Sequence, residues 1–234
     1  MVNLQKDSVN KNTIPLQIHE IQRQKLNRYL GSEKFLEQTL SLKKLVRIVT
    51  NGKLVILDRI WSLFIFTIQQ FTYCYPIERR GIKNLDLHNL KGDCGEYSSL
   101  FVTMCRILKV PAINKTGFVI FSNQRQLVEH EWAQIYIKPF GWIDMDTQYA
   151  SLERKSSDYK IFFGKRQDYR IAFTNGYNIP LKFQLPLNNI ISRYKNIAPH
   201  SVQTLQPLTF ASKFETKLIE SIKQKKSYVE LQPI

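Results

Sequence analysis

Cys94 stands in the run Gly92-Asp93-Cys94-Gly95-Glu96-Tyr97, where a glycine-marked loop passes into a segment of helical apolar spacing. At a helix start the unpaired backbone N–H groups and the positive end of the helix dipole favour thiolate over thiol, which makes the sulfur a nucleophile near neutral pH. A thiol nucleophile needs a base. Of His19, His88, His130 and His200, only His130 opens a convincing strand, His130 to Ile137, with His130, Trp132, Gln134 and Tyr136 on one face. Lys138-Pro139-Phe140-Gly141 reads as a tight turn into Trp142 to Asp146. If Ile137 pairs with Gly141, Trp132 opposes Asp146, and His130 and Asp146 share a face within side-chain reach. A slip of one residue would send Asp146 to the other side. Nucleophile, base and orienting carboxylate would then be present together. Asp144 shares that face and is the rival orienter.

These residues need a helix and a sheet to bring them together. Upstream, Pro15 opens a helical region with Ile18, Ile21, Leu26, Leu30, Phe35, Leu36, Leu40 and Leu45 at roughly helical intervals, broken in two at Gly31. A second helix follows Asn51-Gly52, with Leu54, Leu57, Trp61, Phe64, Ile68 and Phe71 as its core face. Pro76, Gly81 and Gly92 punctuate a long loop whose length favours a binding role. From Asp93 the helical period returns, with Tyr97, Leu100, Phe101, Met104, Cys105 and Leu108 on one face, and Val110-Pro111 ends it. Strands are expected at 112–121, 129–137 and 142–146. A hairpin is expected around Asn175-Gly176, pairing 171–174 with 177–179. A short basic helix at 214–222 and a solvated end at Lys223, Lys225 and Lys226 close the chain.

Composition narrows the function. Of 234 residues 43% are apolar, enough for a sizeable core, and 9 Gly and 9 Pro exclude collagen-like and mucin-like chains. The net charge is 34 − 19 = +15, but residues 60–150 carry 9 basic and 8 acidic side chains, so the excess sits at the ends. No recognition helix, zinc finger or stacking motif accompanies it, and no nucleic-acid partner is expected. Cys74, Cys94 and Cys105 lie in no CxxC or CxxH pattern, so neither a disulfide scaffold nor zinc is expected. A mixed set of His88, Asp93, Cys94 and His130 lacks ligand spacing, and no metal or other cofactor is expected. The apolar stretch Ile60 to Ile68 is about half a membrane span, and residues 1–12 are too polar for a secretory signal. A soluble, cytoplasmic protein is expected; its oligomeric state is left open.

The order of these motifs resembles the transglutaminase-like superfamily. The residues that carry the resemblance are Gly92-Asp93-Cys94, Cys105-Arg106-Ile107-Leu108-Lys109-Val110-Pro111-Ala112, His130-Glu131-Trp132, and Gly141-Trp142-Ile143-Asp144-Met145-Asp146-Thr147. Two positions depart from the family pattern: Ile113 follows Pro111-Ala112 where Arg is usual, and Thr147-Gln148 follows Asp146 where Pro is common. Neither change removes a reacting group.

The resemblance implies an α+β, papain-like fold, with the catalytic cysteine at the N-terminus of a helix packed on an antiparallel sheet that carries the histidine and aspartate. It matches Cys94, His130 and Asp146 to the triad and favours Asp146 over Asp144. The expected organisation is a disordered 1–13, an N-terminal helical extension at 14–53, a catalytic core at 54–185 and a C-terminal extension at 186–234. An oxyanion hole would use the Cys94 N–H and a side-chain donor from Gln69, Gln70 or Tyr73. Trp132 and Trp142 are candidates for the substrate cleft, although aromatic residues on paired strands also serve as core. The implied chemistry is hydrolysis of a peptide, protein or amide substrate through a thioester. Amide-forming acyl transfer to an amine, or an idle binding module on the same fold, are the alternatives.

Overall fold

The computed structural model describes residues 26–77, 79–120, 127–165 and 170–176. The expected disordered start, residues 14–25 of the helical extension, the second hairpin arm at 177–179, the basic helix at 214–222 and the extension from 186 lie outside the described residues.

The helix expected to resume after Gly31 starts only at Leu40: Phe35 and Leu36 lie in a turn closed by a Glu33–Leu36 bridge, with Phe35 at φ 72°, and helix α1 runs Leu40–Val49 with the Thr39 side chain accepting from the Leu42 N–H as its cap. Helix α2, Ile56–Gln70, buries Ile60, Leu63, Phe64, Thr67 and Ile68, an i, i+3, i+4 stripe that faces the core. The loop beyond it carries two short strands, β1 (Thr72–Tyr73) and β2 (Lys91–Gly92), paired in parallel so that Tyr73 lies beside Gly92.

Helix α3, Cys94–Ile107, follows directly. It starts because the Asp93 side chain accepts the Gly95 N–H, and it is buried from Gly95 to Arg106. A helix enclosed on all sides cannot be a strongly amphipathic surface helix; α3 is the centre of the molecule. Its Phe101 packs edge-on against Phe64 of α2. Strands β3 (Ala112–Ile120), β4 (Leu127–Ile137), β5 (Gly141–Met145) and β6 (Arg170–Asn175) form one antiparallel sheet in the order β5-β4-β3-β6. Between β5 and β6 sits a short helix, α4, Thr147–Leu152, which the apolar pattern had not announced.

The turn sets the register as expected: Ile137 pairs with Gly141, Tyr136 with Trp142 and Ala133 with Met145. β6 pairs with β3, an edge the sequence left unassigned. A β-bulge between Thr116 and Gly117 lets it approach, and a Cβ at Gly117 would lie 1.8 Å from the Ile171 carbonyl oxygen. Only glycine fits there. Gly117 is also the β3 partner of His130, so the bulge brings β6 against the sheet at the level of that histidine.

Arg106 ties the N-terminal segment to this frame. Its buried guanidinium donates to the Ala112 carbonyl (2.9 Å), the Gly31 carbonyl (3.1 Å) and Glu33 Oε1 (2.6 Å). Arg106→Ala should cost about 2–4 kcal/mol, because it leaves the buried Ala112 carbonyl without its donor and empties a buried site, while the exposed Gly31 and half-exposed Glu33 turn to water. Urea unfolding checks this. Arg106→Lys should recover little of the loss, since one ammonium cannot reproduce the fork. Among the described residues, no helix is long and apolar enough to cross a membrane.

Candidate active site

His130 and Asp146 meet. The His130 ring Nε2 lies 2.7 Å from Asp146 Oδ2, and both side chains are about 3% exposed. Because the ionised carboxylate can only accept, Nε2 carries a ring proton, which leaves Nδ1 as the ring nitrogen on the other side. Asp146 sits at the end of β5, where the ladder has stopped, and caps α4 by accepting the Tyr149 N–H on Oδ1 (2.9 Å). Burial would raise its pKa, but the neighbouring His130 and Arg170 and the bonds from His130 and Tyr149 N–H hold it well below the usual carboxylate range. The Tyr149 ring stacks on His130 with centroids 4.2 Å apart. Its own hydroxyl is pushed up to about 12 by burial and by the Asp146 charge. The rival carboxylate, Asp144, is engaged elsewhere: it accepts from Trp132 Nε1 (3.1 Å) and Gln134 Nε2 (2.7 Å).

Cys94 stands at the start of α3, against β4. β5 pairs with β4 only as far as Ala133, so the Glu131 backbone on that side is left to the helix. Ser98 Oγ donates to the Glu131 carbonyl (3.0 Å), and the Glu131 N–H is aimed at the Cys94 sulfur. The sulfur therefore lies against β4 one residue from His130. Charge on it is also felt at Tyr73 and at Tyr149.

The thiol itself behaves contrary to the helix-dipole expectation. Burial pushes it up, and the carboxylates of Asp93 and Glu131 push it further; the Glu131 N–H and Arg80 only partly oppose them. The reason is local. Asp93 takes the Gly95 N–H for its own cap, so the helix end presents a carboxylate beside the sulfur as well as free amides.

Asp93 belongs to a buried ionic cluster that sequence spacing does not reveal. Arg80 donates from NH1 to Asp93 Oδ1 (2.9 Å) and to Glu96 Oε2 (2.7 Å), and from NH2 to Asp93 Oδ2 (2.5 Å). Burial would raise Asp93, but Arg80 holds it low. Burial, helped by the Asp93 and Glu131 carboxylates, pushes Glu96 from 4.5 up to about 8 against the pull of Arg80. Between those limits the fold holds a proton that the unfolded chain releases, so stability falls as pH rises from about 4.5 to about 8. Thermal melts should show this decline in the wild type and a shallower one in Glu96→Gln, an isostere of the protonated acid. Parallel curves would contradict it.

The remaining expected residues are placed as follows. Tyr73 is exposed and lies on the strand paired with Gly92, two residues from Cys94. Gln69 and Gln70 are exposed at the end of α2. Trp132 is buried and held through its indole N–H, with its ring stacked 6.2 Å from His130. Trp142 is half-buried and packs edge-on against Tyr29 and Tyr136. His88 lies exposed in the 77–91 loop, Cys105 is in the core, and Cys74 is exposed. Sequence reasoning missed Arg170, Tyr149 and Arg80. Arg170 starts β6, and its NH2 group donates to Asp146 Oδ2. Among the described residues no group of three or more His, Cys, Asp or Glu side chains could hold a metal ion.

A family model described as the transglutaminase-like superfamily matches residues 44–147. Among solved structures, a candidate cysteine protease from Cytophaga hutchinsonii aligns at 15% identity over 65% of this chain and 47% of its own, with a TM-score of 0.46. The periplasmic domain of TgpA from Pseudomonas aeruginosa aligns at 16% identity over 61% of this chain and 51% of its own, with a TM-score of 0.47. The chain thus spans about half the length of the solved structures it matches. No curated protein matches it. Over residues 44–147 the chain is thus similar to the transglutaminase-like superfamily, and its helix packed on an antiparallel sheet is the α+β, papain-like fold that this similarity implies.

Proposed function

We propose that the protein is a cysteine-dependent acyl-transfer enzyme that hydrolyses a peptide or amide bond, with Cys94, His130 and Asp146 as its triad. The observation that carries this reading is the buried 2.7 Å contact between His130 and Asp146, with the Cys94 sulfur docked one residue away on the same strand. In the reaction the Sγ–H proton passes to His130 Nδ1 and the sulfur attacks the carbonyl carbon. The Cys94 N–H, an amide without an intrahelical acceptor, would hold the oxyanion together with the Tyr73 hydroxyl, the candidate best supported of the three because it senses charge at Cys94. His130 then returns its proton to the departing amine, leaving a thioester. Water, deprotonated by the same ring, releases the acid and restores the thiol.

The core would extend over 54–185, with the flanking segments as extensions. Three free cysteines are in keeping with a reducing, cytoplasmic setting. An idle binding module is the second reading, and what favours it is the thiol pushed upward beside Asp93.

The test uses a p-nitrophenyl acyl ester as probe. Release of nitrophenol with the acyl group ending on water is expected, and a primary amine at moderate concentration should divert only a minority of it. Amide as the main product would replace hydrolysis with acyl transfer. No release above that of a Cys94→Ser control would favour the binding module.

A further inference from the structure

Arg170 and His130 use the same oxygen. The Arg170 NH2 group and the His130 Nε2–H both donate to Asp146 Oδ2, while Oδ1 takes the Tyr149 N–H. The guanidinium lies over the Trp132 ring at 5.0 Å and the Tyr149 ring at 5.7 Å, the two rings that also flank His130. Its side chain is 3% exposed. The close approach of β6 at Gly117 puts it there.

The consequence concerns charge separation. Moving the Cys94 proton to the ring creates a positive charge on His130 and a negative one on sulfur. A carboxylate behind the ring stabilises the first of these. Arg170 neutralises that carboxylate and adds positive charge on the same side. The sulfur gains less from Arg170, because the groups acting most strongly on it are Asp93, Glu131 and Arg80. The groups facing the pair are therefore Asp93, Glu131, Arg80, Tyr73 and Tyr149 around Cys94, and Asp146, Arg170 and Tyr149 around His130.

We propose that Arg170 is a positioning residue that keeps the Cys94–His130 pair as neutral thiol and neutral ring in the resting protein, so that the proton moves only as sulfur attacks a bound carbonyl. This rests on the catalytic reading of Cys94, His130 and Asp146. Arg170 thereby exchanges resting thiol reactivity for a rigid, ionised Asp146. The upward push on the Cys94 thiol from burial and its carboxylate neighbours acts in the same sense.

The experiment is the pH profile of iodoacetamide alkylation at Cys94, mapped by mass spectrometry in a Cys74→Ser background. Arg170→Gln should move the midpoint down by about one unit, making alkylation about fivefold faster at a pH one unit below the wild-type midpoint. Arg170→Lys, which keeps the charge, should stay close to wild type. A merely structural Arg170 would lower the melting temperature without moving the midpoint. If Arg170→Gln leaves the profile in place or moves it up while His130→Ala slows alkylation, this proposal fails and the triad reading stands. If His130→Ala changes nothing, the triad reading fails instead. Should Arg170→Gln not fold, the wild-type ultraviolet thiolate absorbance, taken against Cys94→Ser, decides. No thiolate signal at neutral pH is expected, and a clear one overturns the proposal.

Discussion

Cys94→Ala should reduce turnover of an activated acyl ester by about a thousandfold or more, to the background of the protein surface. Sulfur is the attacking atom in the account, and no neighbouring group can replace it: Ser98 is committed to the Glu131 carbonyl, and Tyr73 and Tyr149 both hold their protons more tightly than usual. The fold should tolerate the change, because the half-buried Cys94 side chain contributes one contact from a strand amide while Asp93 caps the helix. Two controls separate chemistry from packing. Cys74→Ser, at an exposed loop position, should leave turnover unchanged. Cys105→Ala, in the core of α3, should lower stability by a few kcal/mol at most and leave the rate per folded molecule intact. Steady-state kinetics with circular dichroism melts on the three variants check this.

Asp146→Asn should slow acylation by about a thousandfold to ten-thousandfold while keeping the fold. The amide oxygen can still accept the Tyr149 N–H, but an amide NH2 facing Nε2 forces the ring to place its proton on the side of the sulfur, where a lone pair is required. Asp144→Asn, which alters only contacts to Trp132 and Gln134, should remain within a few-fold of wild type; the reverse ranking would make Asp144 the orienter. Asp146 also marks the acid limit of the fold. Its pKa is lowered in the folded state, so its stabilisation is complete above the ordinary value of 3.8 and is lost as pH falls below it. Asp146→Asn should flatten that acid limb in a pH series of melts.

Much of this site was legible because local chemistry dictated it. Gly92, Asp93 and the apolar face from Tyr97 to Leu108 fix where α3 begins, and the four-residue turn before Trp142 fixes a register that any slip would invert. What escaped the sequence was long-range or dielectric. Arg170 lies 24 residues beyond Asp146 on a strand that pairs with β3, and Arg80 comes from the loop before α3, so no local spacing announces either. The direction of the Cys94 thiol was misjudged because the dipole argument counts free amides, whereas burial and the Asp93 carboxylate decide the outcome here. α4 was missed because it is six residues long and is started by a cap on Asp146, a residue whose type alone does not reveal two roles.

The most direct test of the central claim, that one sulfur and one ring act as a unit, is intact-mass detection of the acyl-enzyme after brief exposure to the activated ester. The account predicts one acyl group per chain, mapped to Cys94, absent from Cys94→Ala and formed at least about a hundredfold more slowly in His130→Ala. Acylation at another residue, or an equal rate in His130→Ala, would contradict it.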